Sequence, residues 1–224
     1  MDGGSNWDGI QYSTSIARTD IFGVSSSVAW VVGGESTALY HWRYTFNSDG
    51  SITTDVWATS ASLGMLLGIY FIDADNGWSV GSEGMIRRIT DASTDSPTFT
   101  PQTSGTTNWL EEIQMLDANT GWIVGRGGVI LKTTDGGENW VPQNSGVTVD
   151  LQDLEFVDAN TGLVVGKEGT VLVTTNGGDT WTAESSGVSV ILRGACITNT
   201  VNGFAVGQNG TILYRTSDVK SNND

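Results

Sequence analysis

The stretch "TGWIVGRGGVILKTTDGGENW", residues 120–140, packs six glycines and two tryptophans around a run of alternating hydrophobicity. Residues 161–181, "TGLVVGKEGTVLVTTNGGDTW", return the same frame. A repeat at this distance outranks every local signal, because a unit too small to bury its own apolar face must stack on copies of itself. Aligning the aromatic or apolar residue ahead of "xVG" gives five units, at Trp30, Trp78, Trp122, Leu163 and Phe204. Successive spacings are 48, 44, 41 and 41 residues, inside or near the ~40–50 of four-stranded propeller blades. The paired Gly-His and Trp-Asp signature of the commonest propellers is absent.

One unit predicts four short antiparallel strands, "LEEIQMLD" (110–117), "GWIVG" (121–125), "GVILKTT" (128–134) and "ENWVPQNS" (138–145). A Gly-x-x-Gly pair joins the second strand to the third, as expected of a tight hairpin that needs positive φ. The third and fourth are joined by "TTDGGENW" or "TTNGGDTW", in which Asp135 or Asn176 accepts turn N–H groups while Trp140 or Trp181 packs beneath. No helix follows these loops, so they do not make a phosphate cradle. The fifth unit stops after "TILYRTSD" (211–218), and "DGGSNW" (2–7) matches "DGGENW" (135–140) at five of six positions. Asp2 and Trp7 therefore stand as a displaced Asp135 and Trp140, and an N-terminal strand is expected to complete the last blade and close the ring.

The expected architecture is all-β: one five-bladed propeller of four-stranded antiparallel blades over 1–224. The blades span about 16–60, 64–104, 108–146, 149–187, and 190–217 with 2–12. Blades one and two depart from the frame. "ALYHWRYTF" and "SITTDVWATS" flank the turn "NSDG" in blade one, while "TDASTDSPTF" replaces the glycine turn in blade two and puts Phe99 where tryptophan is expected.

Composition agrees and narrows the function classes. The chain has 30 Gly, 9 Trp and only 3 Pro, a balance poor in helix formers. A net charge of -15 opposes nucleic-acid and anionic-membrane binding. The lone Cys196 permits no intrachain disulfide and no four-cysteine zinc site, and the single His41 removes histidine triads and multi-histidine metal sites. No metal or cofactor is expected. The first residues lack the charged and apolar regions of a signal peptide, and no stretch approaches the ~20 apolar residues of a membrane span. A soluble protein in an extracytoplasmic or virion-associated setting is the favoured expectation.

The turns at 135–140 and 176–181 resemble the Asp-box, or bacterial neuraminidase repeat. The longer frame "LQDLEFVDANTGLVVGKEGTVLVTTNGGDTW" (151–181) resembles the repeats of the photosystem II assembly and stability factors. The likeness is close over about 110–217 and skeletal elsewhere. It implies a propeller that serves assembly or binding, although Asp-box repeats also occur in sialidases, sorting receptors and glycan-active enzymes. It further implies seven blades and an arginine-rich patch, whereas this chain shows five units and seven arginines.

A sialidase needs an arginine cluster, a tyrosine–glutamate nucleophile pair and an acidic donor. Only Arg18 and Arg193 occupy equivalent strand starts on blades that closure would make neighbours, and the third candidate, Arg126, belongs to blade three. Ten residues before each motif aromatic stand Asp20, Gly68, Glu112, Asp153 and Gly194. Three carboxylates are thus expected at one level of the channel, as a hydrated lining, a cation site, or the acid pair of a glycosidase, which needs about 5–9 Å between carboxyls. "DADNG" (73–77) looks like the start of a calcium loop but lacks the distal acid, so a turn is expected.

The reading is a non-catalytic protein-interaction or assembly module, not an enzyme. A glycan-binding or glycan-cleaving propeller and a structural subunit of a phage virion or cell-surface assembly are the alternatives. A protein partner or larger assembly is expected, a glycan is the second option, and nucleic acid and membrane insertion are not expected. Arg18, Asp20, Trp109, Glu111, Glu112, Arg126, Gln152, Asp153, Lys167 and Arg193 are expected around one mouth of the channel. Specificity needs variation, and these positions vary between blades while the glycine turns of the opposite face repeat. The alternative surface is the side of blades one and two, at Trp42, Arg43, Arg87 and Arg88.

Overall fold

The computed structural model describes residues 16–35, 38–60, 64–199 and 202–215. They form five antiparallel sheets. The first blade holds β1 (Ala17–Gly23), β2 (Val28–Glu35), β3 (Ala38–Phe46) and β4 (Ile52–Ser60). The second holds β5 (Leu66–Phe71), β6 (Gly77–Gly81), β7 (Ile86–Thr90) and β8 (Thr98–Gln102). The third holds β9 (Leu110–Met115), β10 (Gly121–Gly125), β11 (Ile130–Thr133) and β12 (Val141–Gln143). The fourth holds β13 (Leu151–Phe156), β14 (Gly162–Gly166), β15 (Val171–Thr174) and β16 (Thr182–Glu184), and the fifth holds β17 (Leu192–Ile197), β18 (Gly203–Gly207) and β19 (Ile212–Arg215). Innermost strands neighbour one another in sequence order, β1 on β5, β5 on β9, β9 on β13 and β13 on β17. The expected fourth strand of the last blade and its Asp2 and Trp7 lie outside the described residues.

Period-2 alternation gives each blade two apolar faces, and the core is the set of seams between blades. Trp78, Val80 and Ile86 of blade two bury against Leu110, Ile113, Met115, Ile123 and Leu131 of blade three. Trp122, Val124 and Ile130 meet Leu151, Leu154, Phe156, Val164 and Leu172 in the same way, and Leu163 and Val165 meet Leu192, Ile197 and Ala205. The Trp122 and Phe156 rings stack with centroids 3.6 Å apart.

The two glycines of Gly-x-x-Gly do different jobs. Gly128 has φ 76°, the left-handed conformation that the hairpin requires. Gly125 is extended, at φ -166°, so positive φ is not its role. A Cβ there would overlap the Trp109 carbonyl oxygen, which accepts the Arg126 N–H at 2.8 Å. The loop entering each innermost strand is thereby pressed onto the next hairpin.

The outer strands are shorter than expected, with β12 only Val141–Gln143, because the Asp-box turn extends through Trp140. Asp135 Oδ1 accepts the Asn139 N–H at 2.9 Å, and Thr133 Oγ1 accepts the Gly137 N–H at 2.8 Å. Trp140 Nε1 donates to Gln102 Oε1 of the preceding blade at 3.2 Å, and Gln102 Nε2 donates to the Gly136 carbonyl at 3.0 Å. Trp181 and Gln143 repeat the first of these contacts at 3.4 Å. Each Asp-box is thus a staple to the blade before it.

Blade two lacks that turn. Arg43 of blade one substitutes for it, donating from Nη1 to the Ala92 and Thr94 carbonyls at 2.9 and 2.6 Å while Asp55 holds its Nη2 at 2.8 Å. The "DADNG" segment is a turn, as expected: Asp73 Oδ1 accepts the Asp75 and Asn76 N–H groups, both at 2.8 Å.

Candidate functional site

The channel is lined by the innermost strands, whose free edges point N–H groups inward that no ladder partner can satisfy. Side chains do so instead. Asp20 Oδ2 of blade one accepts the Ile69 N–H of blade two at 2.8 Å, and Asp153 Oδ2 of blade four accepts the Ala195 N–H of blade five at 2.7 Å. Gly68 offers no side chain at this level, and Glu112 fills the gap by accepting its own neighbour's N–H, from Ile113, at 2.9 Å. Two residues along lies a second tier: Gln114 Oε1 accepts from Phe156 N at 2.6 Å, and Glu155 Oε2 from Ile197 N at 3.0 Å.

The three first-tier carboxylates do meet, as counting back from the motif aromatics predicts, and they line one cavity of ≈ 240 Å³ with Tyr70, Gln114 and Glu155. Burial raises the Glu112 carboxyl well above its ordinary range, and the charges of Asp20 and Asp153 add to that. Burial likewise raises Asp153 to about 6, against the backbone hydrogen bonds that pull it down, and raises Asp20. Like charges that share a buried site disfavour one another's ionised forms. Among the described residues no group of three or more histidine, cysteine, aspartate or glutamate side chains is arranged to hold a metal ion.

A β-bulge in each innermost strand sits just before this level, between Leu110 and Glu112 in blade three and between Leu151 and Asp153 in blade four. A bulge re-aims its extra residue. That residue is Glu111 in blade three, Gln152 in blade four and Arg193 in blade five. Arg126 Nε donates to Glu111 Oε1 at 2.7 Å while the Arg126 guanidinium lies 3.9 Å from the Trp109 ring centroid. Trp109 also walls a cavity of ≈ 410 Å³ with Ala17, Glu35, Met65 and Glu83. Lys167 pairs with Asp150 at 2.6 Å, and Asp150 in turn accepts the Gly127 N–H at 3.0 Å. Trp109, Glu111 and Arg126 therefore form one cluster and Lys167 forms another with Asp150, a residue whose only sequence signal is its place just before an innermost strand. Arg193 is exposed, Gln152 is half-buried, and the exposed Arg18 lies 4.7 Å from the Trp42 ring centroid.

The alternative side surface is largely interior. Trp42 is 3% exposed and Arg43 8%. Arg88 stacks 3.8 Å from the Trp78 centroid and donates to Asn76 Oδ1 at 2.7 Å. Side chains alternate along β3: Tyr40, Trp42 and Tyr44 share one apolar cluster, while His41 and Arg43 face blade two. No helix among the described residues is long and apolar enough to cross a membrane.

Strands, staples and repeat together define a β-propeller of the bacterial neuraminidase repeat type. The sequence model of the family described as "Photosynthesis system II assembly factor YCF48" matches residues 53–145, and the chain resembles that factor. The match starts in the outer strand of blade one, where the repeat is legible only in skeleton, and ends with blade three. No curated protein matches the sequence. The WD40 β-propeller domain of Doa1 superposes with TM-score 0.72 at 12% identity, covering 92% of this chain and 67% of that one. YCF48 from Cyanidioschyzon merolae superposes with TM-score 0.59 at 16% identity, covering 86% and 78%. The computationally designed Ika8 protein superposes with TM-score 0.62 at 14% identity, covering 89% and 71%. At these identities the likenesses establish the fold.

Proposed function

We propose that the chain is a non-catalytic assembly or protein-interaction propeller that takes a protein partner at the channel mouth, with Trp109 and Arg126 at its centre. The observation that carries this is the Trp109–Arg126–Glu111 cluster beside an open cavity. An aromatic ring with a guanidinium stacked on it is the makeup of an interaction hot spot, and the neighbouring blades carry different residues there. The family likeness to an assembly factor supports the same class. The channel carboxylates support it from another side, since Asp20 and Asp153 are engaged by backbone N–H groups of the next blade and Glu112 by that of Ile113. Partner capture from native extract tests the reading: Trp109→Ala with Arg126→Ala should abolish capture while leaving the melting curve in place. Capture that survives the pair, or that is lost only with oxidation of glycans, overturns it in favour of another surface or of the glycan reading.

We also propose that the ring closes at five blades through residues 2–12. β19 has no partner beyond β18 among the described residues. A cavity of ≈ 250 Å³ lined by Glu184, Phe204, Ile212, Tyr214 and Arg215 runs beside it. Glu184, whose carboxylate is held by Arg215 at 2.8 Å, stands at the position where Gln102 and Gln143 receive the Asp-box tryptophans of the following blades, which makes it the candidate seat for Trp7.

A further inference from the structure

Three seams between blades are filled with hydrocarbon at three matched positions. Strand register sets them out. Ile86 on one blade faces Ile123 and Leu131 on the next, Ile130 faces Val164 and Leu172, and Val171 faces Ala205 and Leu213. In the seam between blades one and two the same three positions are His41, Ser79 and Arg87. All three are polar, and they face one another. His41 Nε2 and Ser79 Oγ are 2.9 Å apart, and the Arg87 charge acts on the imidazole.

Two of the three buried side-chain polar atoms that lack a hydrogen-bond partner among the described residues, His41 Nδ1 and Arg87 Nε, are in this seam; the third, Thr59 Oγ1, is on β4. His41 and Ser79 are both fully buried. Orphaned buried polar groups are rare and costly, and here they replace residues that the sibling seams show to be freely available. Burial and the Arg87 charge lower the His41 pKa to about 3, so the ring is neutral at physiological pH. Ser79 Oγ has His41 Nε2 as its one partner among the described residues; taken as the donor there, it leaves the proton on Nδ1, which becomes a donor. Arg87 can only donate. Two donors, one of them cationic, call for an acceptor of single negative charge. In a chain with 25 acidic residues, Arg87 forms no ion pair with any of the described ones. Arg87, with Met85, Pro101 and Gln102, lines a cavity of ≈ 850 Å³ along β7 and β8.

We propose that the seam between blades one and two is a carboxylate-binding site in which Arg87 and His41 receive one carboxylate, entering from the cavity that Arg87 lines beside β7 and β8. It is separate from the mouth and does not depend on Trp109.

The chain has a single histidine, so its imidazole nitrogen resonances report on this site alone in the full-length protein. Acetate titrated against chloride at constant ionic strength should shift His41 Nδ1 saturably and raise Tm. Arg87→Leu installs the residue of the sibling blades; it should fold and bind acetate roughly tenfold more weakly or not at all, as expected for loss of a charged hydrogen bond. Ser79→Ala, which releases the tautomer, should weaken binding with Arg87 in place. Equal shifts from acetate and chloride, or an unchanged acetate response in both variants, overturn the site. A short glycine-rich peptide with a free C-terminal carboxylate and its amidated twin identify the source. Binding tenfold tighter than acetate by the free acid alone points to a polypeptide end, and binding no tighter than acetate points to a small free carboxylate.

Discussion

Asp153 Oδ2 accepts the Ala195 N–H at 2.7 Å, tying the innermost strand of blade four to that of blade five with a carboxylate whose pKa is about 6. A carboxyl raised on folding binds its proton more tightly in the native state. The stability it contributes is fully present below the unfolded pKa near 3.8 and is lost as pH rises through 6. At about 1.4 kcal/mol per unit, the loss between pH 4 and pH 7 amounts to roughly 2 kcal/mol for Asp153. Glu112 and Asp20 shift in the same direction. Turn acids such as Asp117, Asp135 and Asp158 are held low by their hydrogen bonds, so their stability goes as pH falls below the ordinary range. Tm should therefore peak near pH 4 to 5 and decline toward pH 7.5, and Asp153→Asn should flatten part of that decline. Thermal melts across the range check it; a Tm that rises steadily from pH 5 to 7.5 contradicts the buried trio.

The Asp-box staples make a graded prediction. Trp140 is buried, and Trp140→Ala should cost about 3 to 5 kcal/mol. Trp181 is half-buried with a longer bond to Gln143, so Trp181→Ala should cost less. Gln102→Ala strands the Trp140 N–H, while the Gly136 carbonyl keeps Trp78 Nε1 as a donor at 3.3 Å, and should cost about 1 to 3 kcal/mol. Urea midpoints decide the order. A Trp181 variant weaker than the Trp140 variant would mean that the staple is not what these rings contribute.

Gly125→Ala separates close approach from backbone strain. The position is extended, so any residue fits its φ, yet a Cβ overlaps the Trp109 carbonyl. The loop carrying Trp109 must move, at a cost of about 1 to 3 kcal/mol for the overpacking. Because Trp109 sits at the proposed mouth, partner affinity should fall as well. An alanine variant with parental stability shows that the loop yields without cost.

Repetition made most of this fold legible. The recurrence of Trp78, Trp122 and Leu163 set the blades, and counting back from them placed Asp20, Glu112 and Asp153 on one level. What those carboxylates do was not legible, because their acceptors' partners are N–H groups on the next blade, at Ile69 and Ala195, and a repeat frame does not show which strand edge is free. The second tier at Gln114 and Glu155 went unread for the same reason. Alternation along β3 put His41 on the face opposite Trp42, but its partners Ser79 and Arg87 come from another blade, where they read as an ordinary strand. Arg43 was read as surface because its clamp on Ala92 and Thr94 exists only once blade two has lost its glycine turn.

Closure is the remaining architectural prediction. Phe204, Val206, Ile212 and Tyr214 of blade five are 49%, 48%, 72% and 74% exposed, whereas Leu163 and Val165, the counterparts of Phe204 and Val206 in blade four, are buried by the next blade. A bare apolar face beside an unpaired strand edge is an aggregation hazard. If residues 2–12 supply the missing strand and Trp7 seats near Glu184 as Trp140 seats on Gln102, deleting residues 1–12 should lower Tm and convert the protein to concentration-dependent aggregates. Trp7→Ala is the milder variant. It keeps the strand and should lose about 3 kcal/mol where burial of the ring is complete, without the aggregation. Melting curves and light scattering over a concentration series read both. A truncated chain as soluble and as heat-stable as the parent removes residues 2–12 from the last blade and leaves β19 as its true outer strand.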